Sequence, residues 1–258
     1  MYEIKEYIVD LYEVSISTLD GCTRKCAYCK YGSMRNNKRK RIMDEWVFEK
    51  ILYDLREINF SGIISPFEGN EPLLDSRIFR FIEKIANMLP NSKSFIYTNG
   101  DLLTEGVLSD LFNSGLKKVF ISLHVNFKLS YFNYLCELFG NDRIEITKYY
   151  ELDKRIHFHN FAGLIKNNIV SQNLYPNNGC YLPFRQLVID PEGFVGLCCV
   201  DIADKCTFQN VKNKSVIDIF YYNEKLNEIR AKLSKNSREG LKYCSQCSFH
   251  GNSLKIPL

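Results

Sequence analysis

Between residues 12 and 123, four short apolar runs alternate with three amphipathic helices, and this alternation constrains the fold more than any other feature. In the first run, Val14 and Ile16 alternate with Glu13, Ser15 and Ser17, the period-two pattern of a strand with one buried face. Further runs cover residues 62–67, 94–98 and 118–123. Asp44 is placed to cap a helix running to residue 58, with Val47, Phe48, Ile51, Leu52 and Leu55 on one face. A second helix is expected over residues 76–89, with Ile78, Phe81, Ile82, Ile85 and Leu89 inward, and a third over 104–113. Strands separated by helices form a parallel sheet with right-handed crossovers, and ligand chemistry gathers at its carboxyl edge. Short strands are also expected at residues 144–148 and 156–158.

Beyond residue 175 the character changes. Residues 184–189 read as a strand, Asp190-Pro191-Glu192-Gly193 as a hairpin turn, and residues 194–197 as the return strand. A helix over residues 216–233 follows. The expected organisation is an α/β unit, a partial barrel, over residues 1–175 and a small cysteine-bearing module over 176–258.

The chain has ten cysteines, and its N-terminus, Met1-Tyr2-Glu3-Ile4-Lys5-Glu6, shows no apolar export signal. No stretch reaches the length of a membrane span. A cytoplasmic location is therefore expected, where thiols stay reduced and metal ligation explains them better than disulfides. The net charge of +4 is too mild to argue for nucleic acid or a membrane surface. The one dense basic run, from Arg35 to Arg41, reads as a solvated loop or an anion-binding patch.

Cys22-Thr23-Arg24-Lys25-Cys26-Ala27-Tyr28-Cys29 follows the first strand. Its three thiolates can take three corners of a 4Fe-4S cube and leave the fourth iron open, as a catalytic metal site requires. By spacing alone, a zinc knuckle completed by one further ligand is the alternative. The segment resembles the signature of the radical S-adenosylmethionine (SAM) superfamily, down to the aromatic Tyr28 before the last cysteine. That resemblance implies a partial (β/α)6 TIM-like barrel, a SAM molecule chelated to the open iron, and Tyr28 against its adenine. Gly69-Asn70-Glu71-Pro72 resembles the family's Gly-Gly-Glu-Pro element, which meets the SAM amino group, with Asn in place of the second Gly. Glu71 suits an ammonium partner, and Asn tolerates unusual backbone angles. Tyr97-Thr98-Asn99-Gly100 and Ser122-Leu123-His124 fall at the next two strand ends, where the family contacts the rest of SAM.

Cys180, Cys198, Cys244 and Cys247 are the candidates for a second metal site. Their arrangement around a hairpin resembles the SPASM and twitch modules, which implies an auxiliary 4Fe-4S cluster. With no cysteine after Cys247, the shorter twitch form with one auxiliary cluster is expected. Zinc held by the same four cysteines is the alternative. Cys199 competes with Cys198 as ligand, while Cys136 and Cys206 have no evident metal role and read as inert thiols or hydrogen-atom donors.

Nearly the whole chain is similar to the twitch-type radical SAM dehydrogenases of aminocyclitol pathways. The resemblance implies an external flavodoxin or ferredoxin-type electron donor, reductive cleavage of SAM and hydrogen abstraction from a small-molecule substrate, an alcohol becoming a ketone. Where that family has an Asn-Arg-Gly-Gly-like segment, this chain reads Asn160-Phe161-Ala162-Gly163 and lacks the cation. His124, His157 and His159 are candidate proton acceptors or substrate contacts, and each also reads as a structural histidine. The rival readings are an epimerase with Cys199 or Cys206 as hydrogen donor, a ribosomal-peptide maturase, and a zinc-stabilised RNA-binding protein.

Overall fold

A computed structural model of the chain describes residues 9–29, 41–152, 158–200 and 207–251. Six parallel strands form its centre: β1 (Glu13–Ile16), β2 (Ile63–Ser65), β3 (Lys93–Thr98), β4 (Lys118–Leu123), β5 (Ile144–Lys148) and β6 (Gln186–Ile189). Two antiparallel strands, β7 (Phe194–Gly196) and β8 (Thr207–Asn210), extend the sheet to the order β5-β4-β3-β2-β1-β6-β7-β8. The expected boundary near residue 175 therefore falls between strands of one continuous sheet. Gln186 to Ile189 stand in parallel register with Glu13 to Ile16.

Helices α1 (Glu45–Glu57), α2 (Ile78–Met88), α3 (Glu105–Asn113) and α4 (Leu129–Phe139) link the strands. Val14, Ile16, Ile64, Leu187 and Ile189 pack with the α1 stripe of Val47, Phe48, Ile51, Leu52 and Leu55. Ile96, Val119, Ile121, Leu123 and Ile144 pack with α2, α3 and α4. Because strand side chains alternate between faces, the opposite, inner face carries Glu13, Ser15, Phe95, Tyr97, Phe120, Ser122, Glu145, Thr147, Gln186 and Val188. Gly62 shows how tightly β1 and β2 approach: a Cβ there would lie 2.1 Å from the Tyr12 carbonyl oxygen.

Several expectations need correction. The helix expected over residues 216–233 is two helices, α6 (Val216–Tyr222) and α7 (Glu224–Ser234). Asn223 ends the first and caps the second, its side chain accepting from the Leu226 N–H. Residues 182–185 form a helical turn, α5 (Leu182–Arg185), so β6 starts at Gln186. Asp44 holds the N-cap position of α1 without a side-chain capping bond. Helix α4 and strand β8 were not anticipated. Residues 156 and 157 of an expected strand lie outside the described residues, as do Arg35 to Lys40, His157 and Cys206. No helix among the described residues is long and apolar enough to cross a membrane.

Candidate functional site

The loops after β1, β2 and β3 meet at the carboxyl edge. From β1 the chain enters the segment holding Cys22, Cys26 and Cys29, all half-buried. The Glu71 N–H donates to the Gly21 carbonyl at 2.8 Å, which fastens the β2 loop to the start of the cysteine segment. Glu71 itself is 1% exposed. Its carboxylate accepts from the Thr98 hydroxyl at 2.7 Å, the Asn99 N–H at 2.9 Å and the Leu73 N–H at 3.3 Å. Burial raises its pKa, and these three donors work against that rise. Pro72 opens a 3-10 turn, Pro72–Leu74. Gly69 is left-handed at φ 72°. Asn70 is buried, its Oδ1 accepting from the Glu68 N–H at 3.0 Å and the Ser17 hydroxyl at 3.5 Å. Its Nδ2 finds no acceptor among the described residues.

Asn99 joins β3 to the cysteine segment: Nδ2 lies 3.4 Å from Cys22 Sγ and 3.0 Å from Thr23 Oγ1. Asp101 completes the clasp, accepting from Thr23 Oγ1 at 2.8 Å and from Arg24 Nε at 2.9 Å and NH2 at 2.5 Å. Burial alone would raise the Asp101 pKa, but the bonds from Arg24 and Thr23 and the nearby Arg24 and Lys128 charges hold it below the usual range. Gly100, at φ 74°, turns the chain between these residues, and a Cβ there would strike the Phe132 ring at 2.6 Å.

A second group sits at the ends of β4 and β5. Tyr28 stacks on Phe158 at 4.0 Å between ring centroids and hydrogen-bonds His124 Nδ1 through its hydroxyl at 2.5 Å. Tyr149 packs against both His124 and Phe158, at 5.3 and 5.2 Å. One face of Tyr28 is thus occupied by Phe158. Ser122 lies on the inner face in register with Thr147. The clasp unites Cys22, Glu71 and Asn99 directly, whereas His124 and Tyr28 form a neighbouring aromatic wall. His159 is elsewhere, packed edge-on against Phe249, and burial lowers its pKa. Cys136 is buried in the helix-side core, where burial raises its thiol.

The other cysteines gather in the C-terminal segment. Cys198 and Cys247 belong to one apolar cluster with Leu182, Leu226 and Leu233, and Cys180, Cys199 and Cys244 pack against it. Arg238, 1% exposed, organises this region. Its guanidinium donates to the carbonyls of Asn178, Gly179, Cys247, Phe249 and His250 at 2.7 to 3.3 Å, drawing the Cys180 and Cys247 segments together. Burial pushes the Cys180 thiol up to about 11. Phe161, Ala162 and Gly163 are three consecutive left-handed residues, φ 48°, 51° and 80°, an arrangement non-glycine residues rarely hold. Asn160 anchors them, donating to the Gln246 carbonyl at 2.9 Å and accepting from the Ser248 N–H at 3.0 Å. Arg41, at the end of the basic run, is held by Asp20, Asp190 and Glu192 at 2.7, 2.9 and 3.2 Å.

Among the described residues, no three His, Cys, Asp or Glu side chains converge on the separations of a single ion. The test of fit is therefore donor chemistry. Cys22 Sγ receives the Arg24 N–H at 3.4 Å as well as Asn99 Nδ2, and Cys247 Sγ receives the Phe249 N–H at 3.4 Å. Such donors tune the potential of an iron-sulfur cluster. One sulfur in each cysteine group receives them, a donor chemistry compatible with cluster ligation.

Glu13 and Gln186 went unnoticed in the sequence. Gln186 stands opposite Glu13 in the parallel register of β1 and β6, and its Oε1 accepts from the Cys199 N–H at 3.0 Å. The available signal was polarity at alternate positions of two otherwise apolar strands.

Comparison with known proteins agrees with this layout. The chain is 27% identical over 241 residues, 93% of each protein, to an S-adenosyl-L-methionine-dependent 2-deoxy-scyllo-inosamine dehydrogenase of Niallia circulans. Its fold matches the crystal structure of BtrN in complex with AdoMet and 2-DOIA, with a TM-score of 0.81, 25% identity and coverage of 94% of this chain and 95% of that one. Native anSMEcpe with bound AdoMet shares the fold at a TM-score of 0.60 and 18% identity, over 87% of this chain and 84% of that one. Residues 16–131 match the Radical SAM superfamily and residues 180–248 the SPASM iron-sulfur cluster-binding domain. The chain belongs to the radical SAM superfamily and carries a SPASM domain.

Proposed function

We propose that this enzyme oxidises a carbinol of an aminocyclitol or sugar-like small molecule. The observation that carries the reading is the clasp of Cys22, Glu71, Asn99 and Asp101 above an inner sheet face that is polar at its base and aromatic at its rim. Cys22, Cys26 and Cys29 would hold a 4Fe-4S cluster, and Cys180, Cys198, Cys244 and Cys247 one auxiliary 4Fe-4S cluster. When bound, the first cluster and SAM would supply the one-electron chemistry that removes a hydrogen atom from the carbinol carbon, fed by a flavodoxin or ferredoxin-type donor, and the auxiliary cluster would accept the second electron as the hydroxyl proton leaves and the ketone forms. A cytoplasmic location suits such thiols.

The chain's own part is placement. Asn99 and the Arg24 N–H support the Cys22 sulfur, and Asp101 keeps the cysteine segment against the β3 loop. Glu71 has one carboxylate oxygen accepting only the Asn99 N–H among its side-chain bonds to described residues, which leaves capacity for an ammonium such as that of SAM. Asn70 Nδ2, a buried donor without an acceptor among the described residues, suits a carboxylate or hydroxyl of the bound molecules. The Tyr28, His124, Tyr149 and Phe158 wall would shield the reaction from water.

A second reading has its own support. Cys199 lies close enough to Tyr97, on the inner face, for its charge to raise the Tyr97 phenol after burial, Glu13, Glu145 and Tyr149. A thiol there suits a hydrogen donor, and with it an epimerase.

Anaerobic incubation with SAM, dithionite and carbon-deuterated 2-deoxy-scyllo-inosamine tests both. Deuterium in 5'-deoxyadenosine and a ketone product support oxidation. With unlabelled substrate, an isomer of unchanged mass in ordinary water that gains deuterium in heavy water indicates the epimerase, and no 5'-deoxyadenosine with any substrate sinks both. Cys198→Ser is expected to remove one cluster's iron, Cys199→Ser none.

A further inference from the structure

The inner face carries a carboxylate that the SAM-activating machinery does not use. Glu13 stands on β1, one inward position before Ser15, and is half-buried rather than sealed. Its Oε1 accepts from the Ser15 hydroxyl at 3.3 Å, and Gln186 stands opposite it in the parallel register of β1 and β6. Gln186 is itself fixed, since its Oε1 accepts from the Cys199 N–H at 3.0 Å, which leaves the amide nitrogen to face Glu13. The Ser15 hydroxyl and the neighbouring Gln186 amide are both neutral, and part of the carboxylate's acceptor capacity is unused. The other inner-face carboxylate, Glu145, is neutralised by Lys118 at 2.8 Å. Glu13 has no ion-pair partner among the described residues.

Aromatic faces surround the same space. Tyr97 stacks on Phe120 at 4.5 Å and remains 41% exposed, and Phe67 flanks it at 5.8 Å. Tyr97 and Glu13 lie on the same face of the sheet, and the Glu13 charge is among the causes that raise the Tyr97 phenol after burial. A carboxylate without an ion-pair partner, on a sheet face that also carries aromatic rings, attracts an alkylammonium better than a hydroxyl, because carboxylate and ring quadrupoles both favour positive charge.

We propose that Glu13 is the specificity-determining residue that grips an ammonium group of the substrate, with Ser15 and Gln186 as the positioning residues that aim it. The assignment rests on the reading of the chain as an enzyme acting on an amine-bearing polyol. Burial raises the Glu13 pKa against the bonds from Gln186 and Ser15, a penalty on the charged form that a bound ammonium offsets.

Equilibrium binding separates this assignment from turnover. The anaerobic, iron-loaded, SAM-bound protein is titrated calorimetrically with scyllo-inosamine and with scyllo-inositol, which differ only in the amine. The wild type is expected to bind the amine about tenfold or more tighter, and Glu13→Gln to abolish the preference. Because the preference is a ratio within one protein sample, partial loss of folded protein cancels. Equal affinities in the wild type, no measurable binding of the amine, or a wild-type ratio retained in Glu13→Gln would overturn the proposal. If Glu13→Gln does not fold, Glu13→Asp, which withdraws the carboxylate by one methylene, takes its place, and an unchanged ratio there overturns it equally. Absence of substrate oxidation counts against the dehydrogenase reading and leaves the binding result to decide Glu13.

Discussion

Asp101 shows how much of the cysteine segment's position depends on single side chains. Three bonds from Thr23 and Arg24 converge on it, with the Arg24 and Asp101 side chains 22% and 23% exposed. Asp101→Asn keeps the shape but loses the charge and one acceptor, and should cost about 1–2 kcal/mol at neutral pH. The sign with pH follows from its lowered carboxyl. Its stabilisation is complete above the unfolded value, roughly pH 4, and is lost as pH falls through the folded value. Urea unfolding followed by Trp46 fluorescence should show the deficit of the variant at pH 7 and its narrowing toward the acid limb. A deficit independent of pH would argue that packing, not charge, holds the segment. Cys22, Cys26, Cys29, Glu71 and Asn99 were visible in the sequence because each follows a strand end, where side chains need no long-range partner to be noticed. Glu13 and Gln186 were not, since only the parallel register of β1 and β6 makes them neighbours.

Among the elements, strands and helices with a clean period were legible. Residues 118–123 and 144–148 match β4 and β5. Helix α4 escaped notice because Leu129, Tyr131, Tyr134 and Leu138 add apolar side chains outside its buried stripe of Phe132, Leu135 and Cys136, which blurs the period. Strand β8, Thr-Phe-Gln-Asn, has little strand character of its own and forms by pairing with β7. The C-terminal loops have almost no regular structure and depend on Arg238 instead. Arg238→Met should leave five carbonyls without their donor and cost about 3–5 kcal/mol, as loss of a buried charged hydrogen-bond hub does. The expected readout is loss of the auxiliary cluster's iron with the SAM-binding cluster retained. Equal loss from both would show that Arg238 supports the whole chain.

The molecule as a whole is less divisible than its sequence suggests. Val14, Ile16, Leu187, Ile189, Val216, Ile219 and Phe220 share one core with α1, so residues beyond 175 supply both a sheet neighbour and a helix to the first half. A chain ending at residue 175 should lose cooperative urea unfolding and show rapid amide exchange in β1. Protected exchange there would mean that the first half closes its core alone. The β1–β6 pairing also bears on grafting. A protein engineer who exchanged residues 176–258 for a relative's SPASM segment would replace the strand lying against the one from which the cysteine segment hangs. Grafting new electron-transfer properties onto this scaffold thus rebuilds the footing of SAM activation, and the natural cut points lie after Ile189 rather than before it.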